Sequence, residues 1–210
     1  QQLKKGTSNA ESVTLSFSVR SSKTGTYQVN LRDNDNSRQI GSTYAISSAN
    51  IWERKEITFA GDTTGAFDND NASSLEIEWW LAAGSTYNSG AVPTAWEAQA
   101  NGDRAAGLNV AIGASTSDDF HITGIQLEIG DVATPFEHRS FGDELSACQR
   151  YCQVRSSEGV NYGVFASGGL VASNVAYFTI PHITTMRVAP SNSITGTFRV
   201  DRGNNTHTSF

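Results

Sequence analysis

Val13, Leu15, Phe17 and Val19 alternate with Thr14, Ser16, Ser18 and Arg20, and the same period returns in Tyr27, Val29 and Leu31 after the turn residues Lys23-Thr24-Gly25. Successive side chains on a strand point to opposite faces, so a period of two predicts half-buried antiparallel sheet. These first two runs read as a hairpin. Asp33-Asn34-Asp35-Asn36 is a turn cluster, Tyr44-Ala45-Ile46 a short strand, and Ile57 with Phe59 another before Gly61-Asp62. Leu75, Ile77, Trp79 and Leu81 then share one face, with Glu76, Glu78 and Trp80 on the other. A long loop runs from Ala82 to about Gly107, followed by strand-like Leu108, Val110 and Ile112, and then Phe120 and Ile122. The alternation slips between Ile122 and Ile125, which predicts a β-bulge at Thr123-Gly124.

Strands of this kind without a βαβ rhythm predict an all-β fold, a two-sheet sandwich of jelly-roll type. The period changes after Ile129. Thr134-Pro135-Phe136 leads into a helix from about Gly142 to Gln153, capped by Ser140 three residues before Asp143. Beyond Val154 the texture is β again, at Tyr162 to Phe165, Ala176 to Ile180 and Ile194 to Val200. The expected organisation is a jelly-roll domain over 1–139, a junction helix over 140–153 and a small C-terminal β module over 154–210, incomplete or completed by other chains.

Only 17% of the residues are charged, the formal net charge is −6, and Lys4-Lys5 is the sole basic run of note. Nucleic-acid binding needs concentrated positive charge and is not expected. No stretch reaches the ~18 apolar residues of a membrane helix. Cys148 and Cys152, spaced i and i+4, suit a regular disulfide poorly. They are expected as free, partly buried thiols, since unpaired Cys behaves as a small hydrophobe.

The run ITGIQLEIGDVATPFEHRSFGDELSACQRYCQ, residues 122 to 153, closely resembles a segment of tail-fibre-like and other virion structural proteins of tailed bacteriophages. The resemblance extends through GTSNAESVTLSFSVRSSKTGTY, IWERKEITFAGDTTGAFDNDN and WLAAGSTY, and includes FTIPHITTMRVAPSNSITGTF with its Met186-Arg187 to Pro190 element. Cys152 departs from the second aromatic usual after Tyr151, and Ser18 stands where an aromatic is common. The resemblance implies a non-enzymatic virion protein on the tail or capsid surface, partnered by other virion proteins and forming a homotrimer. It also implies a jelly roll similar to carbohydrate-binding modules, hence a tail-fibre or receptor-binding role on host surface polysaccharide. The alternative is a capsid or neck decoration protein with a purely structural role. A secreted glycan-binding module and a polysaccharide-degrading enzyme are the further readings.

Sugar recognition uses aromatic rings stacked on sugar faces beside carboxylates and amides. Trp80 with Glu76 and Glu78 offers such a platform, unless the 82–107 loop buries it. Tyr87 and Trp96 in that loop are the next candidates, unless Trp96 only pins the loop. Trp79, in phase with the apolar row, is expected in the core, and Trp52 at its rim. Asp33, Asp35, Asp68, Asp70, Asp118 and Asp119 lie in Asx-rich loops that could hold a structural Ca²⁺ or simply make turns. No other cofactor and no metal ligand set is expected. His121, His138, His182 and His207 are scattered and no catalytic motif occurs, although Glu76 and Glu78 could imitate a glycosidase pair. On the helix Leu145, Cys148, Tyr151 and Cys152 form a stripe that either packs on its own sandwich or meets a partner helix.

Overall fold

A computed structural model describes residues 2–68, 70, 72–156, 166–172, 175–193, 195, 199–201 and 207–209. The strands are β1 (Val13–Ser21), β2 (Gly25–Asp33), β3 (Arg38–Ile46), β4 (Glu53–Phe59) and β5 (Leu75–Trp80), then β6 (Glu97–Ala98) and β7 (Phe120–Ile129). One helical turn, α1 (Ser85–Asn88), lies between β5 and β6. A second helix, α2 (Phe141–Gln149), precedes β8 (Ser167–Ala172), β9 (Val175–Thr179), β10 (Arg199–Asp201) and β11 (His207–Ser209). The protein is mostly β, and its strand pairs are antiparallel. Among the described residues no helix is long and apolar enough to cross a membrane.

The chain divides into two compact units, 1–137 and 138–210, with α2 in the second. In the first, a three-stranded sheet of order β4-β1-β7 and a four-stranded sheet of order β5-β2-β3-β6 contribute to one core. The alternating residues do what their period requires. Leu15, Phe17 and Val19 from β1, Tyr27, Val29 and Leu31 from β2, and Ile40, Tyr44 and Ile46 from β3 are all buried there. Phe17 meets Tyr44 and Trp79 edge-on at 5.1 and 5.8 Å, an arrangement that adds to plain area burial. Burial raises the Tyr44 hydroxyl well above the ordinary tyrosine value.

Several expectations need correction. The strand seen as Tyr44 to Ile46 is nine residues long, because Arg38 and Gln39 also pair with β2 and β6. Leu108, Val110 and Ile112 pack on the core but form no strand; Asn109 and Ile112 donate to Thr26 and Leu81 carbonyls instead. Cys148 and Cys152 are free but exposed, not partly buried. A bulge is present one residue later than Thr123-Gly124: Thr123 still pairs with Ser18, and Gly124 and Ile125 together face Phe17 before the pair Ser16–Gln126. Gly124 has φ +59°, a left-handed conformation that glycine adopts without a Cβ clash.

Beyond β7 the chain folds back across the outer face of the three-stranded sheet. Glu128 accepts hydrogen bonds from the Thr134 N–H (3.0 Å) and hydroxyl (2.5 Å), and Arg54 donates to the Thr134 carbonyl (2.9 Å). In the second unit Ser140 caps α2, accepting from the Asp143 N–H at 3.2 Å. The helix expected to reach Gln153 ends at Gln149, so only Leu145 and Cys148 of the expected stripe lie on α2 while Tyr151 and Cys152 follow it, and all four are exposed, as is Phe141. Gln153 ties that end to the segment resembling the Met-Arg-x-x-Pro element. Its side chain donates to the Thr184 carbonyl (3.1 Å) and the Met186 sulfur (3.3 Å), and accepts from the Ile183 N–H (3.0 Å). β8 pairs with β9 and β10 with β11, while the strand expected at Tyr162 to Phe165, and residues 194 and 196–198 of the one expected at Ile194 to Val200, lie outside the described residues.

A charged network is buried at the end of the first unit where β1 begins. The Lys5 side chain is 3% exposed; its Nζ lies 2.5 Å from Asp33 Oδ2 and 3.1 Å from Asp62 Oδ2, and donates to the Thr64 and Gly65 carbonyls. It also sits 5.2 and 5.6 Å from the ring centres of Phe67 and Trp96, close enough for cation–π attraction. Arg38 grips Asp62 through Nε (2.7 Å) and Nη2 (3.0 Å). Burial alone would raise the Asp62 carboxyl, but hydrogen bonds from Arg38, the Thr64 N–H and Lys5 outweigh it and hold it below the usual range. Lys5→Met should therefore lower stability by roughly 3 to 5 kcal/mol, since it leaves buried carboxylate short of its partner. The readout is a lower urea midpoint at unchanged slope. The stability that Asp62 contributes is full above the unfolded carboxylate value, about pH 4, and lost as pH falls through its lowered native value.

Candidate functional site

The outer face of the four-stranded sheet carries polar side chains that the strand period leaves pointing away from the core. On β2 these are Gln28, Asn30 and Arg32, and on β5 Glu76, Glu78 and Trp80. Gln28 and Asn30 are fully buried even so, because the 82–107 loop lies on them. Gln28 donates to the Asp103 carbonyl (2.8 Å) and accepts from the Gly107 N–H (2.7 Å); Asn30 donates to the Arg104 carbonyl (2.7 Å). A Cβ on Gly107 would come within 2.3 Å of the Thr43 side chain, so glycine permits the close approach. The loop is further closed on itself by Ala105 N–H to the Tyr87 carbonyl (2.8 Å) and Ala91 N–H to Asp103 (2.8 Å). It is therefore a built wall with satisfied backbone groups, of the kind that positions functional side chains.

That wall brings Tyr87 and Arg104 to Trp80. The Trp80 and Tyr87 ring centres are 5.1 Å apart, and the Arg104 guanidinium lies 5.1 Å from the first and 5.4 Å from the second. Arg104 forms an ion pair with Glu78, which is also held by Arg32 Nη1 at 2.9 Å. Arg32 reaches Glu76 at 3.5 Å and donates to Gln99 at 2.8 Å. Burial pushes the Glu78 carboxyl up, but the hydrogen bonds from Arg104 and Arg32 prevail and keep it below its ordinary value. Such a carboxylate is an acceptor held ionised. It is the opposite of a general acid, which must keep a proton near neutral pH.

Of the residues singled out in the sequence, Trp80, Tyr87, Glu76 and Glu78 come together. Trp96 does not: its indole donates to the Ala60 carbonyl at 2.7 Å and its ring sits against Lys5, so it pins the loop to the charged network. Arg32, Gln99 and Arg104 complete the cluster and were not singled out. The polar alternation of Gln28, Asn30 and Arg32 was the available signal for the first of these. Arg104 and Gln99 reach the cluster only through the folded loop.

Of the six aspartates considered for Ca²⁺, all but Asp119 are held by other groups, Asp68 by the Asp70 N–H. Asp33 pairs with Lys5, Asp35 accepts from the Asp68 N–H, Asp70 from the Ala72 N–H, and Asp118 from the Gly113 and Ser115 N–H groups. Among the described residues no group of three or more His, Cys, Asp or Glu is arranged to hold a metal ion. Comparison with protein-family models, curated proteins and solved structures gives no match.

Asn30→Ala should free the loop without emptying the core. Limited proteolysis should then cut between residues 82 and 107 faster than in the parent protein, while the first unit stays folded. The clamp on Glu78 predicts that Trp80 fluorescence is constant above about pH 4 and changes as pH falls through the lowered Glu78 value, where protonation releases Arg32 and Arg104.

Proposed function

We propose that this chain is a non-catalytic, glycan-binding component of a bacteriophage virion, of tail-fibre type. In this reading its first unit is a jelly-roll sandwich that engages host surface polysaccharide. The supporting observation is the Trp80–Tyr87 aromatic pair, flanked by Arg32, Arg104, Glu76 and Glu78 on a rigid sheet face. Aromatic rings offer apolar faces to the C–H side of a sugar, and fixed guanidinium and carboxylate groups bond its hydroxyls in both directions. Assignment to a virion rests on the sequence resemblance. Copies joined as a trimer would turn weak single-site contacts into avidity, typically by 10² to 10⁴.

A decoration protein is the second reading, favoured by the exposed apolar side chains of the second unit, among them Phe141, Val154, Ile183 and Val188. Surfaces of that kind cement neighbouring subunits.

A glycan array on the purified full chain separates the two. Trp80→Ala and Tyr87→Ala should each weaken binding to the recognised glycan by tenfold or more, with a melting transition close to that of the parent. Trp96→Ala should instead lower the melting temperature. Binding to no member of an array of bacterial surface glycans would shift the assignment to decoration.

A further inference from the structure

The free edge of β7 is long, and the second half of its core-facing row is exposed, while Phe120 and Ile122 in the first half pack on the core. Ile125, Leu127 and Ile129 are 43, 37 and 61% exposed, although they point to the same side as the buried β1 residues they flank. Among the described residues β1 is the only strand paired with β7, so the backbone N–H and C=O groups that alternate residues of β7 turn to its other edge have no strand partner. Proteins blunt such edges with lysine, proline, a short strand or a bulge; β7 has only the last, at Gly124–Ile125.

The order of residues in β7 is close to a palindrome in chemistry. Turned antiparallel on itself about the Gly124–Ile125 peptide, Phe120 falls opposite Ile129 and Ile122 opposite Leu127, all on the core side. His121 falls opposite Glu128 and Thr123 opposite Gln126, all on the outer side. In an unbulged strand this register would oppose residues of unlike face, because each pair joins an odd and an even position. The bulge at Gly124–Ile125 shifts the phase once, at the midpoint, and makes both halves agree. The edge thus matches apolar with apolar and imidazole with carboxylate along its whole length.

We infer that β7 pairs with β7 of a second copy of this chain, joining the two three-stranded sheets into one six-stranded sheet across a two-fold axis. The contact is self-complementary, as isologous pairing requires, and its backbone hydrogen bonds are of the strand-addition kind. It would cover the Ile125–Ile129 row of each copy. It is independent of the three-fold association suggested above, which lies outside a two-fold operation.

Light scattering of the full chain across a dilution series tests it, with Ile129→Lys as the variant and circular dichroism as the check on folding. The expected parent mass is an even multiple of the chain, and the variant mass is half of it. A dimer falling to a monomer supports the β7 contact and argues against a trimer; a hexamer falling to a trimer supports both. A monomeric parent, or a folded Ile129→Lys variant with the parent's mass, overturns the pairing. His121→Glu, an exposed change that sets two acidic groups opposite each other, should also halve the mass, and serves if Ile129→Lys fails to fold.

Discussion

The Lys5 ammonium ties together parts of the first unit that no strand pairing connects. It draws Asp33 at the end of β2, Asp62 after β4, the carbonyls of Thr64 and Gly65, and the rings of Phe67 and Trp96 onto the segment that precedes β1. Two carboxylates and a lysine removed from water cost several kcal/mol each unless every charge is met. Here Arg38 supplies the second cation, and the two carboxylates and two carbonyls share the three lysine protons, so the network stands only when all five segments are in place. Hydrophobic burial drives the two sheets together, while this network fixes where their connecting loops must lie.

The same logic of satisfied buried polar groups produces the site. Gln28 and Asn30 sit on the face that a free sheet would give to solvent, and they are buried because the 82–107 loop supplies donors and acceptors at fitting distances. Trp96 anchors the loop at the Lys5 network, and Gln99 meets Arg32. With its middle on β2 and its arm on the charged network, the loop has little freedom in where it carries Tyr87 and Arg104. A binding face preorganised in this way spends little of its interaction energy on ordering itself. Core, network, loop and aromatic pair are successive consequences of one arrangement.

What the amino-acid order makes legible follows from how local each determinant is. The strands β1, β2 and β5 are legible because one face is uniformly apolar, and the helix start because Ser140 and Asp143 cap it locally. The bulge shows as a phase slip between Ile122 and Ile125. The first half of β3 does not show: Gln39 is polar yet buried beneath Glu97 and Ala100, and Gly41 is closed over by Pro93. Leu108, Val110 and Ile112 alternate like a strand, but the segment makes isolated backbone bonds to Thr26 and Leu81 and no regular ladder, so period alone misleads there. Lys5 reads only as half of the basic run Lys4-Lys5, because its partners lie 28 and 57 positions away (33 − 5 and 62 − 5). Trp80 and its two carboxylates are legible from one strand, whereas Arg104 depends on a fold-back of the loop that no local pattern announces.

We propose the outer face of the β5-β2-β3-β6 sheet as a preformed glycan site. Its most direct test is a titration of the isotopically labelled full chain with bacterial surface oligosaccharides, followed through the indole N–H signals of the four tryptophans. The account predicts a saturable shift of Trp80, with Trp96 and Trp79 unmoved because one is hydrogen-bonded to Ala60 and the other packed on Phe17. Saturable binding that leaves Trp80 unchanged, or that moves Trp96 or Trp52 in its place, would contradict it.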